Sequence, residues 1–157
     1  MHLDSYPEKK TPMSVNENIL LMRRWFQEVW NEGRVQTIYD LMAENSTATG
    51  QDQPGVEIRG PADFVTLFNR LHGAFPDIKI TVEDAFGADD KVTVRWSAVM
   101  THTGNHLGML ATGKKARITG IMIAQIHHGK IVRGWDNWDQ LALMQQLSTT
   151  AAASTGA

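Results

Sequence analysis

Residues 116–138, ARITGIMIAQIHHGKIVRGWDNW, contain two segments in which apolar side chains alternate with other side chains, separated by the stretch HHGK. Such alternation is typical of β-strands that bury one face, and HHGK has the composition of a hairpin turn. We predict a three-residue loop with Gly129 in the left-handed conformation, which places residue 127 opposite residue 131. In this register Met122 pairs with Asp136, whereas a two- or four-residue loop would place Ile121 opposite Asp136.

One face of the predicted hairpin is apolar apart from a single carboxylate. Asp136 shares this face with Met122, Ala124 and Trp138, so we expect its side chain to point towards the core. The opposite face mixes polar side chains with apolar ones. Its apolar members form a strip that a monomer would leave in water, which predicts a homodimer or a tetramer built through this outer face. The strip consists of Ile121, Ile123, Ile131 and Trp135.

Helical periodicity precedes the strand periodicity along the chain. Apolar side chains recur every three or four positions in residues 16–33, 35–43 and 60–76, which predicts three helices, the first ending at Gly33. Residues 78–86 and 91–103 alternate as strands do, and a short helix over residues 140–147 follows the hairpin. Helices followed by strands predict an α+β fold, with helices packed on one face of a curved antiparallel sheet.

Length and composition indicate one domain. We place it at residues 15–147 of the 157-residue chain, between an N-terminal tail (residues 1–14) and a C-terminal tail (residues 148–157) that lack a periodic apolar face. The 15 Lys and Arg and 17 Asp and Glu provide no basic surface for nucleic acid. No apolar segment has the length of a membrane span, and we expect a soluble cytoplasmic protein. The absence of cysteine excludes disulfides and thiolate metal sites.

Two carboxylates lie among the tryptophans at the end of the hairpin. Loss of hydration among Met, Trp and aliphatic side chains would raise the pKa of Asp136 and make it a proton acceptor near neutral pH. The alternative is a structural carboxylate that accepts hydrogen bonds from a backbone amide or an indole. Asp139 lies where the last strand ends and a helix begins, which predicts a helix N-cap.

His102 ends the apolar face of the strand over residues 91–103. It is a candidate proton carrier or hydrogen-bond donor at the rim of a pocket, and the alternative is a half-exposed histidine that bonds a loop carbonyl. The turn-forming residues 103–105 separate it from His106, so the two rings do not share a helix face and we predict no metal site. Five tryptophans and eight methionines favour an adaptable apolar cavity, although core packing explains them equally well.

Seven segments follow one another along the chain: VWNEGRVQTIYDLMAEN, GPADFVTLF, AFPDIKITVED, DDKVTVRW, THTGNHLG, TGKKARITGI and HHGKIVRGWDNWDQLALMQQL. Their order and spacing resemble the SnoaL-like polyketide cyclases, a branch of the nuclear transport factor 2-like (NTF2-like) superfold, over roughly residues 16–147. The resemblance implies a cone-shaped α+β barrel with a deep pocket at its open end. It also implies an aspartate on the last strand, matched by Asp136, that acts as general acid/base in an intramolecular aldol condensation without metal or organic cofactor.

Three positions depart from the pattern of such cyclases. Met122 and Thr49 stand where relatives carry histidine, and Gly134 stands where an acidic residue is common. A partner that would polarise a carbonyl is therefore missing or supplied elsewhere. Donors that could take this role are His102, Trp96, Trp138 or bound water.

Residues and resemblance together predict an enzyme that uses Asp136 to move a proton on a small, apolar, carbonyl-bearing molecule. One alternative is water activation as in epoxide hydrolysis, which requires a second carboxylate and an arginine facing the pocket, whereas Arg95 and Arg133 fall on the outer face. Another is a module that only binds a small ligand or a protein partner. Beside the catalytic candidates Asp136 and His102, the predicted pocket residues are Trp30, Phe26, Phe68, Trp96, Met100, Met122 and Trp138.

Overall fold

The computed structural model describes residues 13–148. Except for Met13, Ser14 and Ser148, the two predicted tails lie outside the described residues. The first helix, α1 (Val15–Trp25), begins with a capping box in which the Ser14 hydroxyl accepts from the amide of Glu17 and the Glu17 carboxylate accepts from the amide of Ser14. It continues as a π-helical segment, Phe26–Asn31, and the chain leaves the helix at Gly33, as predicted.

The second helix is shorter than predicted, and two strands follow that the sequence pattern did not indicate. Helix α2 covers Val35–Leu41, after which the backbone at Met42 is extended and starts strand β1 (Met42–Thr49). The short strand β2 (Glu57–Arg59) pairs with β1 and leads into α3 (Gly60–Ala74), which has a proline in its first turn.

Four longer strands and a last helix complete the domain. They are β3 (Lys79–Ala88), β4 (Lys91–Thr101), β5 (Lys115–His127), β6 (Lys130–Trp138) and α4 (Gln140–Ser148). The sheet has the order β2-β1-β6-β5-β4-β3. The α+β prediction is confirmed, with one difference: β1 pairs with β6 in parallel, so the sheet is mixed rather than wholly antiparallel.

The register around Asp136 is the predicted one, although the turn is not. His128 and Gly129 both have positive φ (50° and 72°) and form a two-residue loop between His127 and Lys130. A bulge at Val132 then shifts the pairing by one residue and restores the expected partners, Met122 with Asp136 and Ala124 with Gly134.

The bulge corrects one assignment to the outer face. Ile131 precedes the bulge, pairs with Ile126 and is buried in the core, whereas strict alternation predicts it on the outer strip. The outer strip therefore consists of Ile121, Ile123 and Trp135. The alternation of β5 is as predicted, since every second residue from Ala116 to Ile126 is buried.

The core lies between the helices and the inward face of the sheet. It contains the buried sides of α1, α3 and α4 together with the inward residues of β4, β5 and β6. Among residues 13–148, no helix is both long enough and apolar enough to cross a membrane.

Candidate functional site

A cavity of about 90 Å³ lies inside the core, between the inward face of the sheet and the helices. Its wall is almost entirely apolar, with aromatic side chains from α1, the π-helical segment and α3 on one side and strand residues on the other. Leu143 of α4 closes part of it. Seven of the residues predicted to form the site lie in this wall: Phe26, Trp30, Trp96, Met100, Met122, Asp136 and Trp138.

Phe68 is buried but lies one layer behind the cavity wall. Phe64, Leu67 and Leu71 line the cavity from the same helix, at spacings of three and four residues. Phe68 follows Leu67 on the helix, and its ring packs on Trp30 with centroids 5.5 Å apart. Phe68 therefore supports a pocket residue rather than contacting a bound molecule.

Asp136 points into the cavity, as its strand position predicts. It lies on β6 opposite Met122, and its Oδ1 atom is buried with no hydrogen-bond partner among the described residues. Burial raises the pKa of Asp136 from its ordinary value of 3.8 to about 7, because the charged form loses hydration. The carboxyl group can therefore both take and give a proton near neutral pH.

His102 does not form part of the cavity wall, and it is fully buried rather than at a rim. Its Nδ1 atom accepts a hydrogen bond from the amide of Thr112 at 3.2 Å and lies 3.0 Å from the Thr112 hydroxyl. The other ring nitrogen, Nε2, is buried without a hydrogen-bond partner in the described part of the chain. The ring packs on Phe75, with centroids 5.4 Å apart, and its contacts with Thr112 tie the loop over residues 102–114 to the body of the domain.

Two further polar atoms on the cavity wall have no hydrogen-bond partner in the described part of the chain. They are Trp96 Nε1 and Gln51 Oε1. A buried polar atom without a partner costs about 1–3 kcal/mol, so these two atoms and Asp136 Oδ1 are groups to which water or a bound molecule can form hydrogen bonds. Gln51 was missed by the sequence analysis because it follows β1, a strand whose inward face could not be assigned.

The segment that carries Gln51 is held over the cavity by three other elements. The Trp138 indole donates to the carbonyl of Gln51 at 3.3 Å, and the Gln140 amide donates to the carbonyl of Asp52 at 2.7 Å. Arg70 on α3 forms an ion pair with Asp52, and this hydrogen bond lowers the pKa of that carboxyl. These contacts hold Gln51 in place on the cavity wall.

Close approach of this segment to the last strand requires a glycine. Gly50 has φ +86°, and a Cβ atom on it would lie 1.8 Å from the carbonyl oxygen of Asp136. The chain can therefore pass beside the Asp136 backbone only with no side chain at position 50.

The cavity holds a single ionisable group. Asp136 is the only one among the described residues of the wall. Arg95 lies on the outer face of the sheet, as predicted, and Arg133 is exposed there with its guanidinium over the Trp135 ring. Within residues 13–148 there is no group of three or more His, Cys, Asp or Glu side chains placed to hold a metal ion.

Comparisons with known proteins identify a family and support the fold. A profile of the SnoaL-like polyketide cyclases matches residues 20–147, whereas curated proteins give no match. TsrD from Streptomyces laurentii is 24% identical, with a TM-score of 0.75 over 87% of this chain and 98% of its own. A proposed SnoaL-like polyketide cyclase from Jannaschia sp. CCS1 is 19% identical, with a TM-score of 0.79 over 91% and 99% of the two chains. An LEH-like epoxide hydrolase from M. tuberculosis is 14% identical, with a TM-score of 0.64 over 85% and 90%.

Proposed function

Because the chain belongs to the SnoaL-like polyketide cyclase family, we propose that it is a cofactor-independent enzyme that uses Asp136 as a general acid/base on an apolar, carbonyl-bearing substrate of polyketide type. The observation that carries this proposal is the state of Asp136. Its carboxyl group lines an apolar cavity, has an oxygen without a partner among the described residues and has its pKa raised to about 7 by burial. A base of this pKa is half-ionised at neutral pH, which suits it to accept a proton and return it.

The proposed reaction is an intramolecular aldol condensation. The Asp136 carboxylate takes a proton from a carbon next to a carbonyl, and the electron pair of the broken C–H bond forms an enolate. The enolate carbon then attacks a second carbonyl of the same molecule, which forms a C–C bond and an alkoxide. The alkoxide takes the proton back from Asp136. Electrons and protons balance within the substrate and one carboxyl group, so the steps need no oxidant or reductant.

The two alternative functions have less support from the same cavity. Epoxide hydrolysis by water activation would need a second carboxylate and an arginine on the wall, and the described wall contains neither. A module that only binds a ligand would leave Asp136 hydrogen-bonded with an ordinary pKa, whereas its Oδ1 has no partner in the described chain and burial raises its pKa.

The first test measures proton transfer directly. β-Tetralone is an apolar bicyclic ketone, and loss of its α-protons in D2O is followed by NMR. We expect the wild-type protein to accelerate this exchange and the Asp136→Asn variant to lose about two to four orders of magnitude of that acceleration, since an amide cannot take the proton.

The matched control is Asp139→Asn, the same substitution three residues away at an exposed helix cap. It should leave the exchange rate unchanged.

A second measurement needs no substrate, because the pH dependence of the carbon-13 shift of the Asp136 carboxyl gives its pKa directly. Equal exchange by the Asp136→Asn variant and the wild type, or an ordinary pKa for Asp136, would overturn the proposal.

A further inference from the structure

Three buried polar atoms without partners among the described residues lie on the wall of one cavity, and they differ in chemistry. Asp136 Oδ1 and Gln51 Oε1 are acceptors, or donors only after protonation or rotation of the group. Trp96 Nε1–H is always a donor. Among the described tryptophans of the wall, Trp96 is the one whose indole N–H is buried without a hydrogen-bond partner.

The Trp96 indole lies over β5, the strand between its own strand and the strand that carries Asp136. Trp96 on β4 pairs with Gly120 on β5, and Gly120 pairs with Trp138 on β6. A Cβ on Gly120 would lie 2.4 Å from Cζ2 and 2.6 Å from Cε2 of the Trp96 indole. Cε2 is the ring atom bonded to Nε1, so the edge of the indole that bears the N–H lies across β5, in space that any other residue at position 120 would fill.

The other donors predicted from the sequence are already occupied or lie elsewhere. The Trp138 indole donates to the Gln51 carbonyl, and His102 belongs to the core behind the cavity rather than to the described wall. Asp136 stands two residues before Trp138, on the same inward face of β6. The Trp96 donor and the Asp136 carboxylate therefore share one side of the sheet, two strands apart.

We propose that the Trp96 Nε1–H donates a hydrogen bond to the substrate's carbonyl oxygen while Asp136 takes the proton from the adjacent carbon. The substrate is then a cyclic or extended apolar ketone whose carbonyl oxygen points towards β4 and whose acidic carbon faces β6. Negative charge grows on that oxygen as the enolate forms, and a donor fixed at that point stabilises the transition state more than the ketone. This assignment rests on the proposed role of Asp136.

A neutral donor also fits the electrostatics of the cavity better than a cation. An arginine or lysine on the wall would stabilise the enolate, but it would also favour the charged form of the nearby carboxyl group and lower its pKa. The indole N–H carries no net charge. It can stabilise an oxyanion while Asp136 remains a base poised near neutral pH.

The test compares two ligands with one carbon skeleton, β-tetralone and tetralin, which lacks the oxygen. In indole N–H spectra of the 15N-labelled wild type, we expect β-tetralone to shift the Trp96 proton downfield and tetralin to leave it in place. The Trp96→Phe variant should bind β-tetralone about three- to tenfold more weakly, the loss typical of one neutral hydrogen bond, and should bind tetralin within about twofold of the wild type. Its kcat for α-proton exchange should fall by about tenfold to a thousandfold.

The control variant is Trp30→Phe, which removes an indole N–H from the same wall at a position where the ring packs on Phe64 and Phe68. It should change the affinity for both ligands by the same factor. Failure of β-tetralone to shift the wild-type Trp96 proton, or an equal loss of both ligands in Trp96→Phe, would overturn the inference. If Asp136→Asn abolishes exchange and Trp96→Phe keeps its kcat within about twofold of the wild type, only this inference fails. If Asp136→Asn retains exchange, the proposed function fails whatever Trp96 does.

Discussion

Asp136 is a residue whose burial opposes the stability of the fold. A carboxylate in an apolar wall loses hydration, and the Oδ1 atom gains no hydrogen bond within the described chain. The raised pKa is the measurable form of this cost. Residues held in unfavourable surroundings are common at catalytic sites, where the same feature that lowers stability tunes the chemistry.

The first prediction is that the stability contributed by Asp136 decreases as the pH rises. The folded pKa is about 7 and the ordinary value is 3.8, so below 3.8 both states are protonated, and between the two values only the unfolded state releases the proton. The free energy of unfolding should therefore fall by up to about 1.4 kcal/mol per pH unit in that window. Asp136→Asn should match the wild type at pH 3.5 and melt at a higher temperature at pH 8.

Asp90 gives a control with the opposite sign. It is an exposed carboxylate whose pKa is lowered by hydrogen bonds from Gln125 and His127. Its contribution is present above its ordinary pKa and is lost as the pH falls through the lowered value. The Asp90→Asn variant should therefore melt below the wild type at pH 7 and match it in strong acid. Parallel melting curves for wild type and Asp136→Asn from pH 3.5 to 8 would show that Asp136 titrates normally.

Elements with a regular apolar period could be predicted from the sequence, and those fixed by distant pairing could not. The faces of β4 and β5 followed from alternation alone, and so did the inward direction of Asp136 beyond the bulge in β6. Strand β1 has the sequence MAENSTAT, with an irregular burial pattern, and pairs with β6 across more than 80 residues of chain. The position of β1 depends on tertiary contacts. The position of Gln51, which follows β1, therefore could not be predicted from the sequence either.

Helix α4 begins with a side-chain cap. The Asp139 carboxylate accepts a hydrogen bond from the amide of Ala142 at 2.9 Å, which confirms the predicted cap. Asp139→Ala should cost about 0.5–2 kcal/mol in chemical denaturation, and Asp139→Asn, which keeps an acceptor, should cost less. Because Leu143 on this helix lines the cavity, the alanine variant should also bind β-tetralone more weakly. Equal stability of the alanine variant and the wild type would contradict the cap.

Substitution of two glycines in the β1–β2 connection distinguishes the cost of backbone strain from the cost of a steric clash. Gly50 and Gly55 have similar positive φ values, +86° and +81°, but a Cβ on Gly50 would meet the Asp136 carbonyl at 1.8 Å, and one on Gly55 would meet nothing within 4 Å. Gly55→Ala should cost about 1–2 kcal/mol, the strain of a left-handed residue. Gly50→Ala should cost more and should displace the segment over the cavity, which chemical denaturation and the affinity for β-tetralone would detect. Similar costs for both variants would show that β1 and β6 can separate freely.

The two faces of the sheet have different surroundings: the inward face borders the cavity and the outward face carries the apolar strip. The inward face and the helices surround the cavity, and Leu143 of α4 and Gln51 of the β1–β2 connection form part of its wall. This arrangement arises from packing between distant parts of the chain and is not visible in a sequence pattern. The outward face could be predicted, apart from the bulge at Val132 that turned Ile131 inward.

The last prediction concerns assembly through this outward face. Ile121 is 51% exposed and Ile123 38% exposed, next to Trp135 on a broad groove of the sheet. Contiguous apolar surface of this kind favours association of two copies, so we expect a homodimer or tetramer that buries the strip. Ile123→Lys should place a charge in that contact and shift the mass measured by light scattering at micromolar concentration towards the monomer. Leu20→Lys, on an exposed helix position, should leave the mass unchanged. A wild-type protein that is already monomeric, or an Ile123→Lys variant of unchanged mass, would exclude this face as the interface.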